Sequence, residues 1–280
     1  MTTPPARTRR FDLRRLYTAA VLIPAVYGII AYLAPWALTL LLISVGSIAL
    51  VEFYQICFQP RFNRLAVGVG LGAFVLVIAR DHLSLALTHL VVASVLVVSI
   101  AVSISSGRTD SRWKGILITL FGMLYIGFPL STVVSTRSLP AGEFLVLFLA
   151  VVTWTSDTGA YYAGTLWGKH PLLPSVSPKK TVEGLLGGIA LAVGTALLAQ
   201  RWFASQLSLS DAIILGILLT VTGLLGDLFE SVIKRRTGVK DSGGILPGHG
   251  GMLDRIDSLL FTAPTFYYYV AYIRGLSPPL

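Results

Sequence analysis

Long apolar runs, broken by short polar segments, dominate the pattern along the chain. A stretch of about 20 predominantly apolar residues is long enough to cross a bilayer as a helix. Such stretches fall near residues 16–35, 37–57, 65–80, 83–104, 115–135, 142–164, 184–203, 210–230 and 256–274. The pattern therefore predicts an all-α, polytopic integral membrane protein with about nine transmembrane helices. The third run is short, and the sixth and eighth carry acids. Connecting segments are brief and no internal repeat is visible, so residues 1–280 read as a single transmembrane domain. Its first 15 residues form a basic segment, and residues 150–257 carry the motifs discussed below. The apolar run from Leu16 continues past Pro24, too long for the core of a cleaved signal, and reads as the first span.

Composition agrees with that pattern. Only 12% of the 280 residues are charged and 54% are hydrophobic, with a mean hydropathy of +0.76. A soluble globular chain carries about 25% charged residues. Too little polar surface exists to face water, so lipid is the outside solvent.

The net charge of +9 would suggest nucleic acid in a soluble protein. Here the basic residues sit in short segments between spans, and no nucleic-acid partner is read. Cytoplasmic segments of membrane proteins are enriched in Lys and Arg. With the N-terminus cytoplasmic, 18 of the 22 basic residues fall inside, and only Arg80, Arg137, Arg201 and Arg274 fall outside. Two inside segments, near 165–183 and 231–255, are the longest and are rich in Gly, Pro and Lys. The single cysteine, Cys57, permits no intrachain disulfide.

Acids inside apolar spans are costly and mark functional positions. Glu52, Asp157, Asp227, Glu230 and Asp257 qualify. For Glu52, a pairing with a basic neighbour and a ligand role both stand. Asp157 lies in a polar patch, Trp154 to Tyr161, that interrupts the sixth span. Between Gly223 and Asp257, Asp227 and Glu230 close one span, Lys234, Arg235 and Arg236 follow, and a Gly-rich turn leads to Asp254, Arg255 and Asp257. Asp254 and Asp257 are three apart and share a helix face. Carboxylates beside clustered cations, joined by a glycine-rich turn, suit a polyphosphate held with Mg²⁺.

The loop Ser177-Pro-Lys179-Lys180-Thr181-Val-Glu-Gly184 adds a second basic site, with Thr181 placed to cap a helix. Gly184 and Gly188, four apart, permit close helix packing. Lys179 and Lys180 read equally as inside-positive charge. His249, between glycines, reads as a backbone-bonded turn residue or a phosphate contact.

The 27 residues from Ser231 to Asp257 resemble the signature of the phosphatidate cytidylyltransferases (CDP-diacylglycerol synthases). Its elements are Ser231-Val-Ile-Lys234-Arg235, Lys240-Asp241 and Pro247-Gly-His249-Gly-Gly-Met-Leu-Asp254-Arg255-Ile-Asp257. The Trp154–Tyr161 patch, the Ser177–Gly184 loop and Gly226–Ser231 are also similar to that family's motifs. The first five spans resemble the family only in hydropathy. The resemblance implies that CTP and phosphatidate react to give CDP-diacylglycerol and pyrophosphate. It implies Mg²⁺, with a second cation possible, in a bacterial-type plasma-membrane enzyme that is a homodimer with a cytoplasmic active site.

On that reading Asp227 and Asp254 hold the metal, with Asp257 as a further ligand. Lys234, Arg235, Lys240 and Arg255 hold triphosphate or lipid phosphate, joined by Lys179 and Lys180 from the other loop. Ser231 contacts phosphate or metal, and Asp157 completes the site. Two rival readings are a CTP-dependent lipid or polyprenol kinase and an ion-coupled transporter.

Overall fold

A computed structural model describes residues 24–58, 64–79, 109–243 and 250–276. The basic segment 1–15, the start of the first span, the span at 83–104 and His249 lie outside the described residues.

Helix α1 is described over 24–32, and α2 follows at Pro35–Cys57, where Pro35 opens the helix at a position whose N–H needs no partner. Next come α3 (Arg64–Ile78) and α4 (Thr109–Gly122). A π-helical turn, Met123–Gly127, carries α4 into α5 (Phe128–Arg137). Helix α6 (Gly142–Trp167) leads to a hairpin of β1 (Pro171–Leu173) and β2 (Ser177–Thr181). Helices α7 (Val182–Trp202), α8 (Leu209–Arg236) and α9 (Leu253–Tyr268) complete the order. A second π turn, Tyr269–Ile273, extends α9.

Among the described residues, five helical segments are long and apolar enough to cross a membrane: Pro35–Cys57, Gly115–Arg137, Gly142–Trp167, Val182–Trp202 and Leu209–Arg236. The apolar part of α3, Val67–Ile78, is shorter. Only 28% of the apolar window in α7 is buried inside the protein, so most of that surface needs lipid. The core itself is one apolar cluster running from Ile30 in α1 to Phe266 in α9.

The all-α expectation needs one correction, the antiparallel hairpin between α6 and α7, which pairs Pro171 with Thr181 and Leu173 with Ser177. Pro171, Pro174 and Pro178 forbid a helix there. A lone two-stranded hairpin is marginal in water, and this one is tied down by Glu183. Its Oε2 accepts the backbone N–H groups of Lys169 (3.1 Å) and His170 (3.2 Å), and its Oε1 meets the His170 ring. Thr181 caps α7 as the sequence suggests, its Oγ1 accepting the Gly184 N–H at 3.1 Å.

Small residues then set how closely the helices meet. A Cβ on Gly184 would lie 2.9 Å from the Ala160 carbonyl oxygen, and one on Gly188 would lie 3.0 Å from that of Ser156. Gly226 on α8 presses against the Asp257 carbonyl of α9, which brings the acids of the two helices together.

One buried acid is purely architectural. Asp211, in the first turn of α8, forms a capping box with Ser208 and receives the Tyr269 hydroxyl and the Arg274 guanidinium, each at 2.8 Å. It lies at the opposite end of α8 from Lys234. Asp211→Ala should lower stability by about 1–3 kcal/mol, the cost of leaving such donors unpaired. Thermal unfolding in detergent checks this, and turnover per folded molecule should stay at the wild-type value.

Candidate active site

Polar residues of α6, β2, α8 and α9 converge, beside Gly184 and Leu185 of α7, on a cavity of about 410 Å³, within the usual range of ligand pockets. Ser156, Asp157 and Tyr161 reach it from α6, Lys179 and Lys180 from the hairpin, Thr220 and Asp227 from α8, and Asp254, Asp257 and Ser258 from α9. Three sequence motifs separated by up to about 100 residues therefore share one space.

Asp227 and Glu230 stand one turn apart on α8, and the Gly226 contact places Asp257 of α9 against them. One oxygen from each of Asp227, Glu230 and Asp257 lies within 4.8 Å of the others. Asp227 is paired with Lys180, at 2.5 Å. Asp157 accepts a long hydrogen bond from the Ser258 hydroxyl, at 3.4 Å, linking α6 to α9.

Asp254 is placed differently from Asp227 and Asp257. Its Oδ1 receives the Lys234 ammonium at 2.5 Å, and its Oδ2 receives the N–H groups of Gly251 (2.8 Å) and Ser242 (3.2 Å). Both oxygens are thus engaged by the protein, closing the glycine-rich turn onto the start of α9. Gly250, at φ +77°, takes the left-handed backbone that this turn requires. Lys234 also reaches Glu230, at 2.8 Å, and so bridges two acids that are 1% and 13% exposed. The trio brought together is Asp227, Glu230 and Asp257, against the expected set of Asp227, Asp254 and Asp257. Arg235, Lys240 and Arg255 are exposed and Ser231 is half-buried, and none of these four lines the cavity.

The charge balance of the cavity is informative. Four carboxylates and two ammonium groups line it, so the lining is net negative and the wrong sign for a polyphosphate alone. Three hard carboxylate donors in close range suit a divalent cation such as Mg²⁺. Among the described residues the buried Glu230 Oε1 receives no hydrogen bond, which leaves a ligand position open on the trio.

Glu52, on α2, is the residue that sequence reasoning undervalued. It is fully buried and meets neither a basic partner nor the cavity among the described residues. Its Oε2 instead accepts the Leu253 N–H (2.9 Å) and the Ser242 hydroxyl (3.2 Å), at the first residue of α9 and in the turn before it. Gly243 and Gly251 pack directly on its side chain, where a Cβ would collide. The first half of the chain thereby clamps the turn that carries Asp254. No local signal marks this role, because the partners lie 190 and 201 residues away. Glu52→Ala should cost about 1–3 kcal/mol by orphaning both donors, whereas Glu52→Gln, which keeps an acceptor, should cost less. Unfolding midpoints of the two variants test the order.

Comparison with known proteins places the chain in context. The cytidylyltransferase family profile matches residues 13–273. A phosphatidate cytidylyltransferase from Staphylococcus saprophyticus is 46% identical over 145 residues, 52% of this chain and 55% of that protein. The phosphatidate cytidylyltransferase of Bacillus subtilis is 43% identical over 149 residues, 53% of this chain and 55% of that protein. Uncharacterized protein YnbB of Escherichia coli is 42% identical over 158 residues, 56% of this chain and 52% of that protein. The aligned region spans about half the length of each of these relatives.

Proposed function

This chain belongs to the cytidylyltransferase family, and we propose that it transfers the cytidylyl group of CTP to phosphatidate, giving CDP-diacylglycerol and pyrophosphate. The observation that carries this reading is the cavity in which Lys179 and Lys180 face Asp227, Asp254 and Asp257.

In the reaction a phosphate oxygen of phosphatidate attacks the α-phosphorus of CTP. A phosphorus–oxygen bond forms there as the bond to the α,β-bridging oxygen breaks, and that electron pair leaves with pyrophosphate. The nucleophile is already anionic, so no strong general base is needed. The barrier is set by charge repulsion, alignment and stabilisation of the leaving group. Asp227, Glu230 and Asp257 are assigned to hold Mg²⁺, with room for a second cation. When bound, the ion supplies the positive charge that lets two anions meet and stabilises the departing pyrophosphate.

Lys179 and Lys180 hold the triphosphate, Lys180 exchanging its partner Asp227 for phosphate. Lys234 fixes Glu230 and Asp254, and Asp254 in turn holds Ser242 and Gly251 at the start of α9. Arg235, Lys240 and Arg255, at the ends of α8 and α9, receive the lipid phosphate, with Ser231 and His249 as further contacts. Asp157 orders the α6 wall through Ser258.

The same reading takes the chain as a single domain of nine spans with a cytoplasmic N-terminus. It places a homodimer in a bacterial inner membrane, with the site on the cytoplasmic side, where CTP and the lipid headgroup meet. Detergent-purified protein given cytidine-labelled CTP, Mg²⁺ and phosphatidate should move label into the lipid-extractable fraction. Replacing phosphatidate with diacylglycerol should abolish that transfer. Label transfer to diacylglycerol, or none to phosphatidate, contradicts the assignment.

A further inference from the structure

Tyr125 is a buried polar residue near the acids that the reaction above does not use. It lies in the π turn Met123–Gly127 and is only 7% exposed. Its ring stacks on Phe121 at a centroid distance of 5.6 Å and packs against Phe229 at 5.3 Å and Phe53 at 6.0 Å. Its hydroxyl is buried and has no hydrogen-bond partner among the described residues. An unpaired buried hydroxyl lowers stability, a cost that a phenylalanine would avoid. Pro129, just beyond the turn, accounts for the irregular backbone, because it lacks the N–H that a regular helix would use. It does not account for the hydroxyl.

The surroundings do. Phe229, against which Tyr125 packs most closely, sits between Asp227 and Glu230 on the chain. The carboxylates acting electrostatically on the hydroxyl are those of Glu230, Asp257 and Asp227, the same three that form the trio. Glu230 Oε1 is the complementary orphan, buried with no hydrogen-bond partner among the described residues. A donor without an acceptor and an acceptor without a donor therefore border the same acid cluster. Neither Tyr125 nor Glu230 is among the residues that line the cavity.

We propose that Tyr125 is a positioning residue for the acid trio, its hydroxyl donating to Glu230 when that carboxylate turns to hold a divalent cation. Lys234 holds Glu230 through Oε2, and the hydroxyl fixes it through Oε1, which has lone pairs for both a hydrogen bond and an ion. The inference rests on the trio being a cation site. Hydrogen bonds to the ligands of a metal typically change its affinity about 10- to 100-fold.

The test is Tyr125→Phe in the full-length protein in detergent, which keeps the ring and removes only the hydroxyl. Free Mn²⁺ is followed by electron paramagnetic resonance during titration, and the unfolding midpoint is read in EDTA. The expected result is Mn²⁺ binding weakened about 10- to 100-fold, with a midpoint in EDTA equal to or above wild type. Unchanged Mn²⁺ affinity overturns the proposal, as does a lowered midpoint in EDTA, which would make the hydroxyl structural. Wild-type protein with no Mn²⁺ site sensitive to Asp227→Asn would remove the cation reading itself, and this inference with it.

Discussion

Asp227→Asn should reduce turnover by at least about 10²- to 10³-fold, the loss typical of removing one preorganised electrostatic contact to a transition state. Asp227 is shared between the acid trio and the Lys180 ion pair, so the substitution weakens the cation site and unfastens the lysine assigned to the triphosphate. Folding should survive. Asp227 lines the cavity and is not packed in the core, and its neutralisation relieves repulsion from Glu230 and Asp257. Relief of that repulsion offsets the loss of the Lys180 pair, so the unfolding midpoint without divalent cation should stay near that of the wild type. Added Mg²⁺ should raise the wild-type midpoint, as any ligand specific for the folded state does, and should leave the variant unmoved. Near-normal turnover in Asp227→Asn would remove the basis for the trio.

Lys234→Met should have the largest effect on stability. The ammonium is the shared counterion of Glu230 and Asp254, and all three side chains are at least 87% buried. Breaking a buried pair by removing one partner costs about 3–5 kcal/mol, because a charge is left uncompensated. Here two carboxylates are left, one on α8 and one at the start of α9. The contacts of Ser242 and Gly251 with Asp254 should loosen, and turnover should fall with them. Adding Glu230→Gln to Lys234→Met should recover part of the lost stability and none of the activity, since Glu230 belongs to the trio. Denaturation midpoints of the single and double variants measure this directly. Full recovery of turnover in the double variant would show that Glu230 has no part in the chemistry.

The sequence made the site legible wherever its chemistry is local. Asp227 and Glu230 share a helix face by spacing, Thr181 caps α7 from its own loop, and Gly184 and Gly188 announce a close helix crossing. Lys179 and Lys180 stand in a proline-rich segment whose position at the cavity follows from the end of α6 and the start of α7. The hairpin itself was not legible, because two three- to five-residue strands carry little periodicity.

What escaped were contacts across the fold. Glu52 finds its partners almost 200 residues away, in a turn whose motif gives no hint of an acid beneath it. Asp254 is a metal ligand on the family reading, and the fold places Lys234 and two backbone N–H groups on its oxygens. Glu230 joins the trio in its place because Gly226 lets α9 approach α8 at that level. Tyr125 reads as an ordinary aromatic of an apolar span, and only the packing of its π turn against Phe229 of α8 brings it beside the acids.

The measurement that tests the central claim most directly follows the phosphates of CTP. Purified protein is incubated with phosphatidate, Mg²⁺ and CTP labelled at either the α- or the γ-phosphate. The account predicts α-label in the lipid product and γ-label released as pyrophosphate, with EDTA blocking both. Entry of γ-label into lipid would identify a kinase and contradict the direction of attack. Failure of either label to move in an active membrane preparation would contradict the assignment of the cavity to nucleotidyl transfer.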